Sequence, residues 1–177
     1  MRRAMRIAAC AIVAGSLLLA SCGDDTDIEP GAGTFTAEMT GAYTATLDGR
    51  AQFGVIEDAG GRATGFALVL GDGGVARILL TASNTPVPPA RNYEIVAPGF
   101  PVGSDTVFKG SIAYVVNGAV EEFEARGGTV SLTLSAHDAV AGTFELRAER
   151  TSPCCDPAPV QIVITGSFDA AQFPQVF

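Results

Sequence analysis

The sequence is poor in basic side chains and in nitrogen ligands, with one histidine, His137, and one lysine, Lys109. A catalytic zinc site built on two or three histidines needs more nitrogen donors than His137 alone supplies. Eleven basic residues stand against nineteen acidic ones, and three of the eleven, Arg2, Arg3 and Arg6, fall in the first six positions. Without those three, eight basic side chains face nineteen acidic ones, a charge of −11. That balance excludes a nucleic-acid partner, which needs clustered Lys and Arg. It also excludes adhesion to anionic headgroups through a basic patch. Apolar residues do not recur at the three-and-four spacing of an amphipathic helix anywhere after the first twenty positions. No Gly-rich phosphate loop leads into a helix, and no nucleophile elbow is present. With no catalytic motif to carry an activity, the chain reads as non-enzymatic and without a metal.

What the sequence has in quantity is glycine and proline, 21 and 10 residues, with many Thr and Val between them. Those residues break helices and suit turns between short strands. The period-two alternation of half-buried strands begins at Thr34, where Phe35, Ala37 and Met39 face one way and Thr36, Glu38 and Thr40 the other. Tyr43–Leu47 and Arg50–Ile56 read as two strands joined by an Asp48-Gly49 hairpin turn. Thr64–Leu70 and Val75–Ala82 follow, joined through Gly71-Asp72-Gly73-Gly74. Residues 83–105 are rich in proline and hold one strand, Asn92–Val96, expected at an edge or across one end because proline cannot donate to a ladder. Ser111–Val116 and Ala119–Ala125 fold about Asn117-Gly118, which sets Val116 opposite Ala119, Tyr114 opposite Glu121 and Ile112 opposite Phe123. Gly127-Gly128 then breaks to Thr129–Ser135, with Val130, Leu132 and Leu134 inward. Gly142–Arg150, with Phe144, Leu146 and Ala148 inward, and Val160–Phe168 complete the set. The expectation is one all-β domain over 34–177, an antiparallel β-sandwich or a flattened up-and-down barrel of roughly ten strands.

The first positions have a different grammar. Three arginines precede an apolar run from Ile7 to Ala20, about fourteen residues, whereas crossing a bilayer takes ~20. A basic start, a short apolar middle and small residues before a break make an export signal. Its end, Leu19-Ala20-Ser21-Cys22, resembles the lipobox of bacterial lipoproteins. That resemblance implies a signal peptide over 1–21, cleavage before Cys22, a diacylglycerol thioether on the Cys22 sulfur and an N-acyl chain on the new amino terminus. Two or more chains give stable anchoring where one does not. Residues 22–33 would then be the lipidated cysteine and a flexible acidic linker. Gly23, in place of Asp, implies transport onward to the outer membrane of a double-membraned envelope.

The closing third carries Gly128-Thr129-Val130-Ser131-Leu132-Thr133, then Gly142-Thr143-Phe144, then Ile162-Val163-Ile164-Thr165-Gly166-Ser167-Phe168. This pattern resembles a recurring group of uncharacterised β-rich bacterial lipoproteins. The resemblance implies a compact β-domain on a lipid tether, and transfers no functional residue.

Three features invite chemistry. Cys154 and Cys155 are adjacent; in an oxidising envelope they can close a strained vicinal disulfide, either redox-active or ligand-gripping, or a bond that stiffens the turn between Pro153 and Pro157. Glu121 is an acid on an otherwise apolar face, either a ligand-facing group in a barrel interior or a strand end in water. His137 beside Asp138 resembles a diad, though neighbours on a strand point to opposite faces. The expected function is a membrane-anchored envelope protein whose β-domain binds or spaces something, with an envelope protein or a small apolar ligand as partner. The alternatives are a small-ligand carrier of general lipocalin design, needing unfilled interior volume, and a hydrolase, needing Ser, His137 and an acid to converge.

Overall fold

A computed structural model describes residues 33–100, 106–151 and 159–173. The described residues form nine strands, β1 (Gly33–Gly41), β2 (Ala45–Glu57), β3 (Ala63–Gly71), β4 (Ala76–Ser83), β5 (Asn92–Val96), β6 (Phe108–Val116), β7 (Ala119–Ser135), β8 (Ala139–Arg150) and β9 (Gln161–Gln172). They close into one barrel in the order β1-β2-β3-β4-β6-β5-β7-β8-β9, the ring being completed where β9 lies antiparallel to β1. Of the two architectures expected, the barrel is the one formed. The expected signal peptide lies outside the described residues.

Period-two alternation sorts the side chains. In β8, Val140, Phe144, Leu146 and Ala148 are buried while Thr143, Glu145 and Arg147 are exposed. The same rhythm in every long strand sends Phe53, Phe66, Phe108 and Phe123 to the interior. Rings meet there in sequence: Phe53 on Phe66 at 5.7 Å between centroids, Phe66 on Phe108 at 6.2 Å, and Phe108 on Tyr93 at 5.3 Å. Among the described residues no polar or charged residue is buried in this core. Barrels that cross membranes carry the reverse arrangement, with the apolar residues outward.

Several expected boundaries hold. The β6–β7 hairpin turns on Asn117-Gly118 with Asn117 at φ 52, and its register, Val116 to Ala119, Tyr114 to Glu121 and Ile112 to Phe123, is the one expected. β5 covers Asn92–Val96 and pairs with the second half of β7. It is wedged between β6 and β7 rather than placed at an open edge, because the closed ring leaves no edge there.

Two expected breaks are not breaks, which reduces roughly ten strands to nine. Asp48-Gly49 lies inside β2, opposite Thr36 and Phe35, and the chain turns earlier, over Ala42–Thr44. Gly49 is needed for close approach, since a Cβ there would run into the Gly71 carbonyl oxygen of the adjoining strand. Gly127-Gly128 lies inside β7, at a register shift against β8 between Ala125 and Gly127. Gly128 has φ +141, and a Cβ on it would strike the Glu145 carbonyl oxygen. The bend lets one side of β7 leave β6 and take up β5. Leu134 also departs from expectation. A second register shift between Leu132 and Leu134 turns it outward, and it is 46% exposed.

Strand directions divide the loops between two ends. One end gathers the start of β1, the β7–β8 hairpin and the close of β9. The other gathers the turns after β1, β3 and β6 and the termini of β8 and β9 that face each other.

Candidate functional site

Glu121 sits at the second of those ends, at the inner rim of the barrel. The tight β6–β7 turn sets it opposite Tyr114. Tyr43, in the β1–β2 turn, donates its hydroxyl to Glu121 Oε2 at 2.9 Å. Arg150, the last residue of β8, brings Nη1 to 3.4 Å from both carboxylate oxygens. The side chains of Arg150 and Glu121 are 26% and 21% exposed, so the pair is neither in bulk water nor fully dry. Both readings of Glu121 thus contain part of the geometry: it faces inward, and it does so at a strand end.

Backbone bonds hold this rim in place. Ala42 N donates to the Gln161 carbonyl at 2.9 Å, Arg150 N to the Val160 carbonyl at 2.9 Å, and Thr151 N to the Glu122 carbonyl at 2.8 Å. Below the polar groups the Tyr43 ring lies 5.8 Å from Tyr114 and edge-on to Phe123 at 6.2 Å. The polar triad therefore closes an aromatic end-cap over the core.

The electrostatics follow from the contacts. The hydrogen bond to Glu121 holds the Tyr43 phenol above its ordinary value, helped by desolvation and by the charge of Glu121, and opposed by Arg150. Tyr43 therefore keeps its proton at neutral pH and acts as a donor. With the phenol and guanidinium both on Glu121, the carboxylate is engaged within the protein. Parity along the strands carried the signal for both partners: Arg150 continues the inward series Phe144, Leu146, Ala148, and Tyr43 begins the series Tyr43, Ala45, Leu47.

His137 lies at the opposite end. Ala136 N donates to the Ala139 carbonyl at 2.9 Å, which makes His137-Asp138 the exposed tip of the β7–β8 hairpin. The neighbouring hydroxyl, Ser135 Oγ, donates to the Pro88 carbonyl at 2.6 Å. Among the described residues no group of three His, Cys, Asp or Glu side chains could hold a metal ion. Among them, too, no helix is long and apolar enough to cross a membrane. Cys22, Cys154 and Cys155 lie outside the described residues, as does the acidic linker before Gly33.

Three surface depressions lie on the outside of the barrel. One of about 380 Å³ lies among Arg50, Val69, Val75, Arg77, Val115 and Val120. Another, of about 580 Å³, lies beside Phe100 and Arg147. In comparisons with known proteins, no family model, curated protein or solved structure matches the chain.

Proposed function

We propose that the protein is a lipid-anchored component of a bacterial envelope, a non-enzymatic β-barrel held to the outer membrane through Cys22. The observation that carries this reading is the order of the first 22 residues: three arginines, an apolar run too short to span, and Leu19-Ala20-Ser21-Cys22. The kinship with β-rich lipoproteins belongs to the same proposal.

The barrel supports the reading in two ways. Its first strand starts at Gly33, so a lipidated Cys22 would have eleven residues with which to reach the membrane. Fully extended, that linker spans at most about 40 Å. The tether would join the end of the barrel that holds the start of β1 and His137, opposite the Tyr43–Glu121–Arg150 cap. Rings, not space, occupy the barrel interior, so the protein would act through its outer surface; a lipocalin-like carrier would need volume where Phe53, Phe66 and Phe108 stand.

Intact mass of the protein purified from its native membrane, beside Cys22→Ala, tests the proposal. The expected result is loss of residues 1–21 with three acyl chains added in the wild type, and neither change in the variant. A wild type recovered soluble and without lipid would overturn it.

A further inference from the structure

The outer surface of β4, β6 and β7 is ordered in rows that run across the strands. Arg77, Ala113 and Glu122 form one row, since Arg77 pairs with Ala113 and Ala113 with Glu122. Leu79, Ser111 and Glu124 form the next row. On the other side, Val115 takes a backbone bond from its N to the Val75 carbonyl at 2.8 Å and pairs with Val120. Val75 is 50% and Val120 64% exposed; the half-buried Ala113 and Val115 lie between Arg77 and Glu122, Leu79 follows Arg77 along β4, and Val69 lies beyond them on β3. The patch is thus apolar at its centre, where Ala113 and Val115 stand, with Arg77 on the β4 side, Glu122 and Glu124 on the β7 side, and Lys109 at its far end on β6. Neither the Arg77 guanidinium nor the Glu122 carboxylate forms an ion pair among the described residues.

From this pattern we infer that the β3–β4–β6–β7 face is an interface between two copies of this chain, related by a two-fold axis running along β6 over Ala113. A two-fold interface must be self-complementary, each element of the patch meeting its counterpart on the other copy. Rotation about an axis along β6 exchanges left and right on the facing surfaces. It lays Arg77 of each copy over Glu122 of the other and stacks the valine rows together. The small side chain of Ala113, on the axis, allows close approach. An axis running across the strands through the Arg77 row would set arginine against arginine and glutamate against glutamate, whereas the axis along β6 brings only Lys109, at the end of the patch, near its counterpart.

The same axis keeps the two β6 strands parallel; because barrel strands tilt by ~35–45° the two barrels cross, with both β1 strands still beginning on the same side of the pair. Two copies tethered to one membrane can therefore dock side by side without either anchor leaving the bilayer; this clause rests on the lipid anchor proposed above. Four strands spaced ~4.8 Å apart give a patch roughly 15 Å wide, well below a standard interface. Association in dilute solution is accordingly weak, and confinement to one surface strengthens it by raising effective concentration.

The test uses charge exchange in the full chain. Sedimentation in mild detergent over a concentration series is measured for wild type, Arg77→Glu, Glu122→Arg and the double variant, with circular dichroism confirming the β-spectrum of each. The expected result is a concentration-dependent dimer, weakened at least about tenfold by either single reversal, since each places two like-charge contacts in the pair, and restored in the double. A wild type that stays monomeric to the highest concentration, or single variants that dimerise as well as wild type, would overturn the interface. The series is repeated with Cys22→Ala. Dimerisation that survives there while the wild type carries no lipid sinks the anchor and leaves the interface standing. A lipidated wild type that stays monomeric does the opposite.

Discussion

From β8 through β9 to β1 the outer surface carries Thr143, Glu145, Arg147, Thr165, Ser167, Thr36 and Glu38, whereas from β3 through β4 to β6 Val69, Leu79, Ala113 and Val115 stand among Arg77, Thr81, Lys109 and Ser111. The first wall satisfies itself: Thr46 donates to Glu38 at 3.1 Å, Thr36 and Ser167 hydroxyls meet at 3.5 Å, and Arg126 meets Glu149 at 3.0 Å. The second mixes exposed carbon with polar side chains that form few such bonds with one another. Inside, the walls are alike, Phe66 and Leu80 beneath one and Phe144 and Ile164 beneath the other. The interior half of each strand decides whether the barrel closes. The exterior half is free of that duty, so its composition reports what the wall meets.

The largest effects should come from the interior and be equal on the two sides. Phe66→Ala and Phe144→Ala should each lower the unfolding free energy by about 3–5 kcal/mol, from denaturant titration. A large inequality would mean that one wall, not the shared core, carries the fold. Next is the bend in β7, which runs between the two walls. Gly128→Ala should cost about 2–3 kcal/mol through strain at φ +141 and contact with the Glu145 carbonyl. A cost below 1 kcal/mol would show that β7 bends for another reason.

These glycines also show where a strand pattern stops being readable. The β6–β7 register follows from Asn117-Gly118 alone, because both the turn and the alternation lie within a short stretch of chain. Asp48-Gly49 has the same local grammar and is no turn; the atom that decides it, the Gly71 carbonyl oxygen, belongs to another strand. Leu134 escapes for a similar reason, since the extra residue at Thr133 is defined by β8, not by β7. For the rim cluster, Glu121 stood out as an acid on an apolar face, while Tyr43 and Arg150 carried their signal in strand parity. Their meeting needed the closed ring.

A smaller effect is expected at that rim, where the two walls join. Glu121→Ala should cost about 1–3 kcal/mol by leaving Tyr43 and Arg150 without their shared acceptor. Glu121→Gln, which keeps an acceptor for the phenol, should recover part of it. The bond raises the Tyr43 pKa above 10.0, so its contribution is full below that value and is lost as pH climbs through the raised one. Wild type and Tyr43→Phe should therefore differ in stability at pH 7 and converge above about pH 10; a constant difference would sink this account. The smallest effects belong to the outer walls. Leu79→Thr and Thr143→Val should each change stability by no more than about 0.5 kcal/mol. Leu79→Thr should nevertheless weaken self-association, and Thr143→Val should not, in the same sedimentation experiment.

The ring is completed between its first strand and its last, with Thr34 on β1 paired to Asp169 on β9. A chain that emerges from its amino terminus therefore makes β1 long before it makes the neighbour that seals it. Until Gln161–Gln172 arrives, β1 and β8 each have a naked hydrogen-bonding edge and the core lacks Ile162, Ile164 and Phe168. Such a topology postpones closure of the ring until β9 has been made, because contacts this distant along the chain form late. A polypeptide that must pass through a narrow conduit before it folds gains from that delay: it stays threadable until β9 is through.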